Sequence, residues 1–172
     1  MNISKMIKRM TGDIKYLLRA VIIVLCVAVD VFNFFSIIAS VEIMLLMAYV
    51  ASILAKLSLL VYALNYHGTK GSKLTLYAYF ILESACSFIS FLRNSSFSIA
   101  PMILILMVLL IGFGGRGIPM YVLTLLGAVA LLIPVFIPLM EIGFFGLLPL
   151  LALLLPVIVF IIAGFLGATA TK

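Results

Sequence analysis

Leu17 to Ala39 is an apolar run interrupted near its middle by Asp30 and Asn33. A stretch of that length can cross the hydrocarbon core of a bilayer as one helix. A carboxylate inside such a helix is costly, and it calls for a partner or a water-filled cavity. The two apolar runs that follow also carry a charge near mid-depth, Lys56 in the second and Glu83 in the third. Two acids and one base set into three neighbouring runs are the only concentrated chemistry in the chain.

Composition carries the same message. Of the 172 residues, 67% are hydrophobic and 9% are charged, whereas a soluble domain is about half apolar and about a quarter charged. No water-facing surface can be built from this mixture. The expected fold class is therefore all-α, a polytopic transmembrane helical bundle. No loop is long enough for a second folded unit. Residues 1–13 read as a basic interfacial segment, with Ile3, Met6 and Met10 at helical spacing opposite Lys5, Lys8 and Arg9. Residues 14–172 read as the membrane domain. The N-terminal charges resemble a signal peptide's basic region, but the run behind them is too long and Asp30 interrupts it, so a retained span is expected.

The chain divides into six expected spans. The first runs from Ile14 to Ala39 and the second from Val41 to Tyr66, the two forming a tight hairpin through a turn at Ser40 and Glu42. A polar loop from His67 to Lys73 precedes the third span, Leu74 to Leu92, which ends at Arg93. The fourth, Ile99 to Phe113, closes on the glycine-rich stretch Gly112 to Pro119. The fifth (Met120 to Met140) contains Pro134 and Pro138, and the sixth (Ile142 to Leu166) contains Pro149 and Pro156. Each proline removes a backbone donor and clashes one turn back, so kinks or breaks are expected near both pairs.

The basic residues orient this arrangement. With both termini in the cytoplasm, the inner side receives Lys5, Lys8, Arg9, Lys15, Arg19, Lys70, Lys73, Arg116 and Lys172. The outer side receives Arg93 with Glu42 and Glu141. That asymmetry is what the positive-inside rule demands. Tyr16, Tyr66, Tyr77 and Tyr121 all fall at the inner interface, where amphipathic rings settle. The net charge of +6 thus sits at span ends and not along one helix face, so no nucleic-acid partner is expected.

Helical spacing gathers the polar residues of the first three spans into stripes. Cys26, Asp30 and Asn33 share one face of span 1. Tyr49, Ser52 and Lys56 share one face of span 2, and Tyr79, Glu83, Cys86, Ser87 and Ser90 make a stripe on span 3. Three otherwise greasy helices should turn these stripes toward one another. The expected network is Asp30, Lys56 and Glu83, supported by Asn33, Ser52, Tyr79 and Ser87. Counted from the inner ends, Asp30 and Lys56 differ in depth by about one helical turn, an offset a lysine can bridge. Burial disfavours an ionised acid and a nearby ammonium favours it, so one carboxylate in excess of a Lys–carboxylate pair can take up and release a proton. The same groups can also serve only as an ion pair that locks helices or docks a subunit.

Other chemistries fail. His67 and Cys86 recommend a Cys–His protease only until they are placed, because His67 falls in a loop and Cys86 lies beyond mid-membrane. One histidine and two scattered cysteines make no metal-ligand set. The stretch from Gly112 to Pro119 lacks the Lys-Ser/Thr ending of a phosphate-binding loop and follows no strand, so a tight turn with Arg116 setting topology is expected. Gly143, Gly146, Gly164 and Gly167 look like close-packing positions. No cofactor and no enzymatic activity are expected. The expected role is an integral subunit of a larger transport or translocation complex in a cytoplasmic-type cell membrane. Its expected partners are the lipid bilayer and other membrane subunits, in a hetero- or homo-oligomer. An alternative is a stand-alone small-solute carrier or the substrate-capturing component of an energy-coupled vitamin importer, a family that the chain resembles in size, span number and termini. A structural, regulatory or immunity membrane protein is a further one.

Overall fold

The computed structural model describes residues 14–40, 42–65, 70–94, 99–142 and 147–170. The basic segment 1–13, His67, Gly143, Gly146 and Lys172 lie outside them. Among the described residues there are six α-helices and no strand: α1 (Ile14–Ile37), α2 (Ile43–Asn65), α3 (Lys70–Asn94), α4 (Ala100–Gly112), α5 (Ile118–Ile142) and α6 (Leu147–Ala168). A 3-10 turn, Ile38–Ser40, extends the end of α1. Stretches of α1, α2 and α3 are long and apolar enough to cross a membrane, namely Ile14–Ile37, Ile43–Leu64 and Lys73–Arg93.

The connections are short, so consecutive helices pack side by side and run antiparallel. Each helix contacts the next, and α1 returns to pack on α6, which closes the six into a ring. Polar contacts identify the two ends. At one end, Arg93 Nη2 of α3 lies 2.9 Å from Glu42 Oε2, just before α2. At the other, the Gly117 amide donates to the Ala168 carbonyl at 3.1 Å, and the Tyr62 hydroxyl donates to the Leu166 carbonyl at 3.5 Å. Lys15, Arg19, Lys73 and Arg116 belong to this second end.

The surface is inside-out by the standards of a water-soluble protein. Lys56 is 2% exposed while Phe32 is 73% exposed. Large apolar side chains project outward all round the ring, among them Leu125, Ile133 and Phe165. A water-soluble monomer rarely shows contiguous apolar patches of this extent.

The α5–α6 contact is set by size. Going along α5, Met120, Thr124 and Gly127 recur at helical spacing. Along antiparallel α6 they meet Gly167, Gly164 and Phe160 in turn. A methyl group added at Gly127 would run into the Phe160 ring, one at Gly164 into Thr124, and one at Gly167 into the Met120 methyl. Large therefore meets small at all three levels. The close-packing expectation for Gly164 and Gly167 is met, whereas Gly127 was not singled out from the sequence.

Of the proline expectation, the breaks are not found. Pro134 and Pro138 lie within α5 and Pro156 within α6, and the helix is continuous through each. Pro149 is the third residue of α6, inside the first turn, where the missing amide costs nothing. In an apolar surrounding, interrupting a helix would strand several backbone groups, which costs more than the single bond a proline removes.

Candidate functional site

The site grows out of periodicity. On α1 the buried residues are Ala20, Ile23, Cys26 and Asp30, spaced three to four apart, so one narrow face turns inward and carries the acid with it. On α2, Ser52, Ala55, Lys56 and Leu59 are buried, again one face. Asp30 must therefore meet Ser52 and Lys56 wherever α1 and α2 touch.

They meet in a closed hydrogen-bonded cluster. Lys56 Nζ lies 2.7 Å from Asp30 Oδ2. Ser52 donates its hydroxyl to the same carboxylate oxygen at 2.8 Å. The ammonium also donates to Ser52 Oγ, one helical turn back along α2. The lysine stem thus spans the depth offset between the two charges, as its length allows. All three residues are buried. The pair is a charge-assisted bond with a hydroxyl filling a further lone pair, the arrangement that makes a buried ion pair tolerable.

Glu83 stands apart. It lies close enough to Lys56 and Asp30 to feel both charges, yet among the described residues it forms no ion pair, and its Oε2 is buried without a hydrogen-bond partner. The expected trio is therefore brought together unequally, with Asp30 taking the lysine and Glu83 left as a neighbour. Of the supporting residues, Ser52 belongs to the network itself. Tyr79 is buried in the core one turn from Glu83, its ring edge-on to Phe80 with centroids 5.1 Å apart. Asn33 and Ser87 are half-buried. Cys86 lies beside Ser52, and Cys26 is buried on the inward face of α1. Both cysteines are free thiols. Among the described residues no group of His, Cys, Asp and Glu could hold a metal ion.

The glycine-rich turn is not a phosphate cradle. The amides of Phe113, Gly114, Gly115 and Gly117 already donate to the carbonyls of Leu109, Ile111, Leu110 and Ala168. Gly114 and Gly117 have φ of 75° and 76°, the left-handed backbone that lets α4 end and α5 begin within a few residues. The turn is structural and is stapled to α6.

No family model matches the chain, and neither a curated protein nor a solved structure matches it.

Proposed function

We propose that this protein crosses a cytoplasmic-type cell membrane six times with both termini in the cytoplasm. In this reading it is a non-enzymatic subunit of a larger transport or translocation assembly and contributes a proton or cation site. Two arguments support six crossings. The chain leaves α3 at the Arg93 end of the ring and enters α5 at the opposite end, so the intervening α4 segment must traverse. α5 and α6, with 25 and 22 residues, are about 38 and 33 Å long, enough for a hydrocarbon core of ~30 Å. Four of the described cations, Lys15, Arg19, Lys73 and Arg116, gather at one end, against Arg93 at the other, and the richer end faces the cytoplasm under the positive-inside rule. A cysteine placed at Arg116 should then label only from the cytoplasm, and one at Arg93 only from outside. The opposite pattern at either position would sink the topology.

Within this frame the two carboxylates divide the work. Asp30 is held by Lys56 and Ser52 and ties α1 to α2. Glu83, with no partner for Oε2, is the group free to exchange a proton or accept a cation. That unsatisfied buried oxygen carries the reading, because an intramembrane carboxylate left without a partner is a functional site by default. A hydrophobic carbodiimide reacts with carboxyl groups that are protonated in an apolar setting. It should therefore tag Glu83 and spare Asp30, as read by peptide mass spectrometry. Glu83→Gln should leave the yield of the purified assembly unchanged and abolish proton- or cation-coupled transport in vesicles. Full transport by Glu83→Gln would reduce the cluster to helix glue.

A further inference from the structure

We propose that the crevice between α3, the α4–α5 turn and α6 binds the phosphate of an anionic phospholipid headgroup. This rests on the membrane reading above but not on the charge cluster. Lys73 and Arg116 line the crevice together with Leu76, Ile111, Gly115 and Gly167. Two cations from separate elements face an otherwise uncharged wall. None of the described acids, Asp30, Glu42, Glu83 and Glu141, lies at this end of the ring, so nothing on the described chain competes for those charges. The amides of Phe113, Gly114, Gly115 and Gly117 are engaged, so recognition falls to the side chains of Lys73 and Arg116.

Depth and size select a lipid. The membrane-crossing stretch of α3 begins at Lys73, which places the crevice at the level of the headgroups. α4 has 13 residues and is about 20 Å long, some ~10 Å short of the hydrocarbon thickness, so the segments flanking it are drawn toward the bilayer. Phe113 and Ile118 bracket Arg116 on the same turn and are 88% and 78% exposed. An apolar ring and chain this exposed beside a cation suit an interface where acyl chains meet phosphates. The crevice itself has a volume of about 20 Å³, room for about one phosphate oxygen, so the rest of the ligand must lie outside it. A lipid whose body is held by the bilayer fits that limit.

The test is native mass spectrometry of the full chain in mild detergent, titrated with dioleoyl phosphatidylglycerol, with dioleoyl phosphatidylcholine, and with inorganic phosphate. Phosphatidylglycerol should bind with a 1:1 component that the other two lack. Lys73→Gln/Arg116→Gln should weaken it about 30-fold, about fivefold for each basic charge removed at a membrane surface. Arg19→Gln, a cation at the same end but on α1, should change it less than twofold. If the double variant does not purify, Arg116→Gln alone, in an exposed turn, should lose about fivefold. Equal binding of phosphatidylcholine, saturation by inorganic phosphate, or equal losses in the Arg19 and Arg116 variants would each overturn the proposal. A chain that stays folded and monodisperse without detergent would overturn the membrane reading instead. A detergent-folded chain with no preference for phosphatidylglycerol would overturn only the lipid site.

Discussion

The two halves of the ring hold themselves together by different means. Between α1 and α2, position is fixed by charge: Asp30, Ser52 and Lys56 can satisfy one another in only one register. Between α5 and α6, position is fixed by shape, with Met120, Thr124 and Gly127 fitted against Gly167, Gly164 and Phe160. Both devices answer the same difficulty. Lipid tails are as apolar as leucine, so burying leucine between helices gains little, and specificity must come from polar bonds or from close packing. The difference lies in how each device fails. A polar contact that loses a partner leaves a charge in an apolar interior, whereas a packed seam that is overfilled pushes two helices apart by an ångström or so. The polar half should therefore be the more brittle, and the packed half more gradual.

The largest effect is expected where the ammonium loses every carboxylate. Asp30→Leu alone leaves Glu83 nearby to take over Lys56. Glu83→Leu alone leaves the Asp30 bridge intact. In the double variant Lys56 keeps only the Ser52 hydroxyl, and breaking a buried pair from one side costs about 3–5 kcal/mol. The ceiling is set by deprotonating the lysine, about 5 kcal/mol at pH 7 from its ordinary pKa. Unfolding in detergent should show the double variant losing more than the sum of the singles, the signature of groups that share one partner. Strict additivity would mean that Glu83 is not within reach of the lysine and cannot take over when Asp30 is removed.

A middle-sized effect is expected at the seam. Gly164→Leu forces α5 and α6 apart at Thr124, with a cost of about 1–3 kcal/mol for overpacking. Gly164→Ala should cost less, and Thr124→Ala should recover part of that loss by removing two of the atoms the new methyl would strike. Thermal unfolding of the two singles and the double reads the coupling. No recovery would show that the seam is set by something other than fit at this level.

What could be read from the sequence follows the same division. A lone Asp or Lys in an apolar run has one way to escape lipid, so the spacing of Cys26 and Asp30, or of Ser52 and Lys56, was enough to aim each face. The choice between Asp30 and Glu83 was not legible. It depends on helix rotation and on which carboxylate sits a turn above the lysine, to within an ångström or two. The seam was half legible. Gly164 and Gly167 could be picked as packing positions, but Gly127 and Thr124 look the same in sequence whether they face a helix or a lipid. The absence of breaks at the prolines was not legible, because their local cost was weighed without the larger cost of stranding backbone groups in an apolar medium.

The smallest effect tests whether charge matters by its kind or by its burial. Arg93 and Glu42 make an ion pair as short as many buried ones, 2.9 Å, but their side chains are 39% and 50% exposed. An exposed pair gives back in side-chain entropy and hydration most of what it gains, so Arg93→Ala should cost no more than about 0.2–1 kcal/mol. The loss should shrink further in high salt, since a Debye length of ~3 Å at 1 M screens exposed charges and leaves Asp30 and Lys56 almost untouched. Unfolding of the parent and of Arg93→Ala at low and high salt makes the comparison directly. If Arg93→Ala proved as damaging as the double loss of Asp30 and Glu83, burial would not be what sets the two halves and the two ion pairs apart.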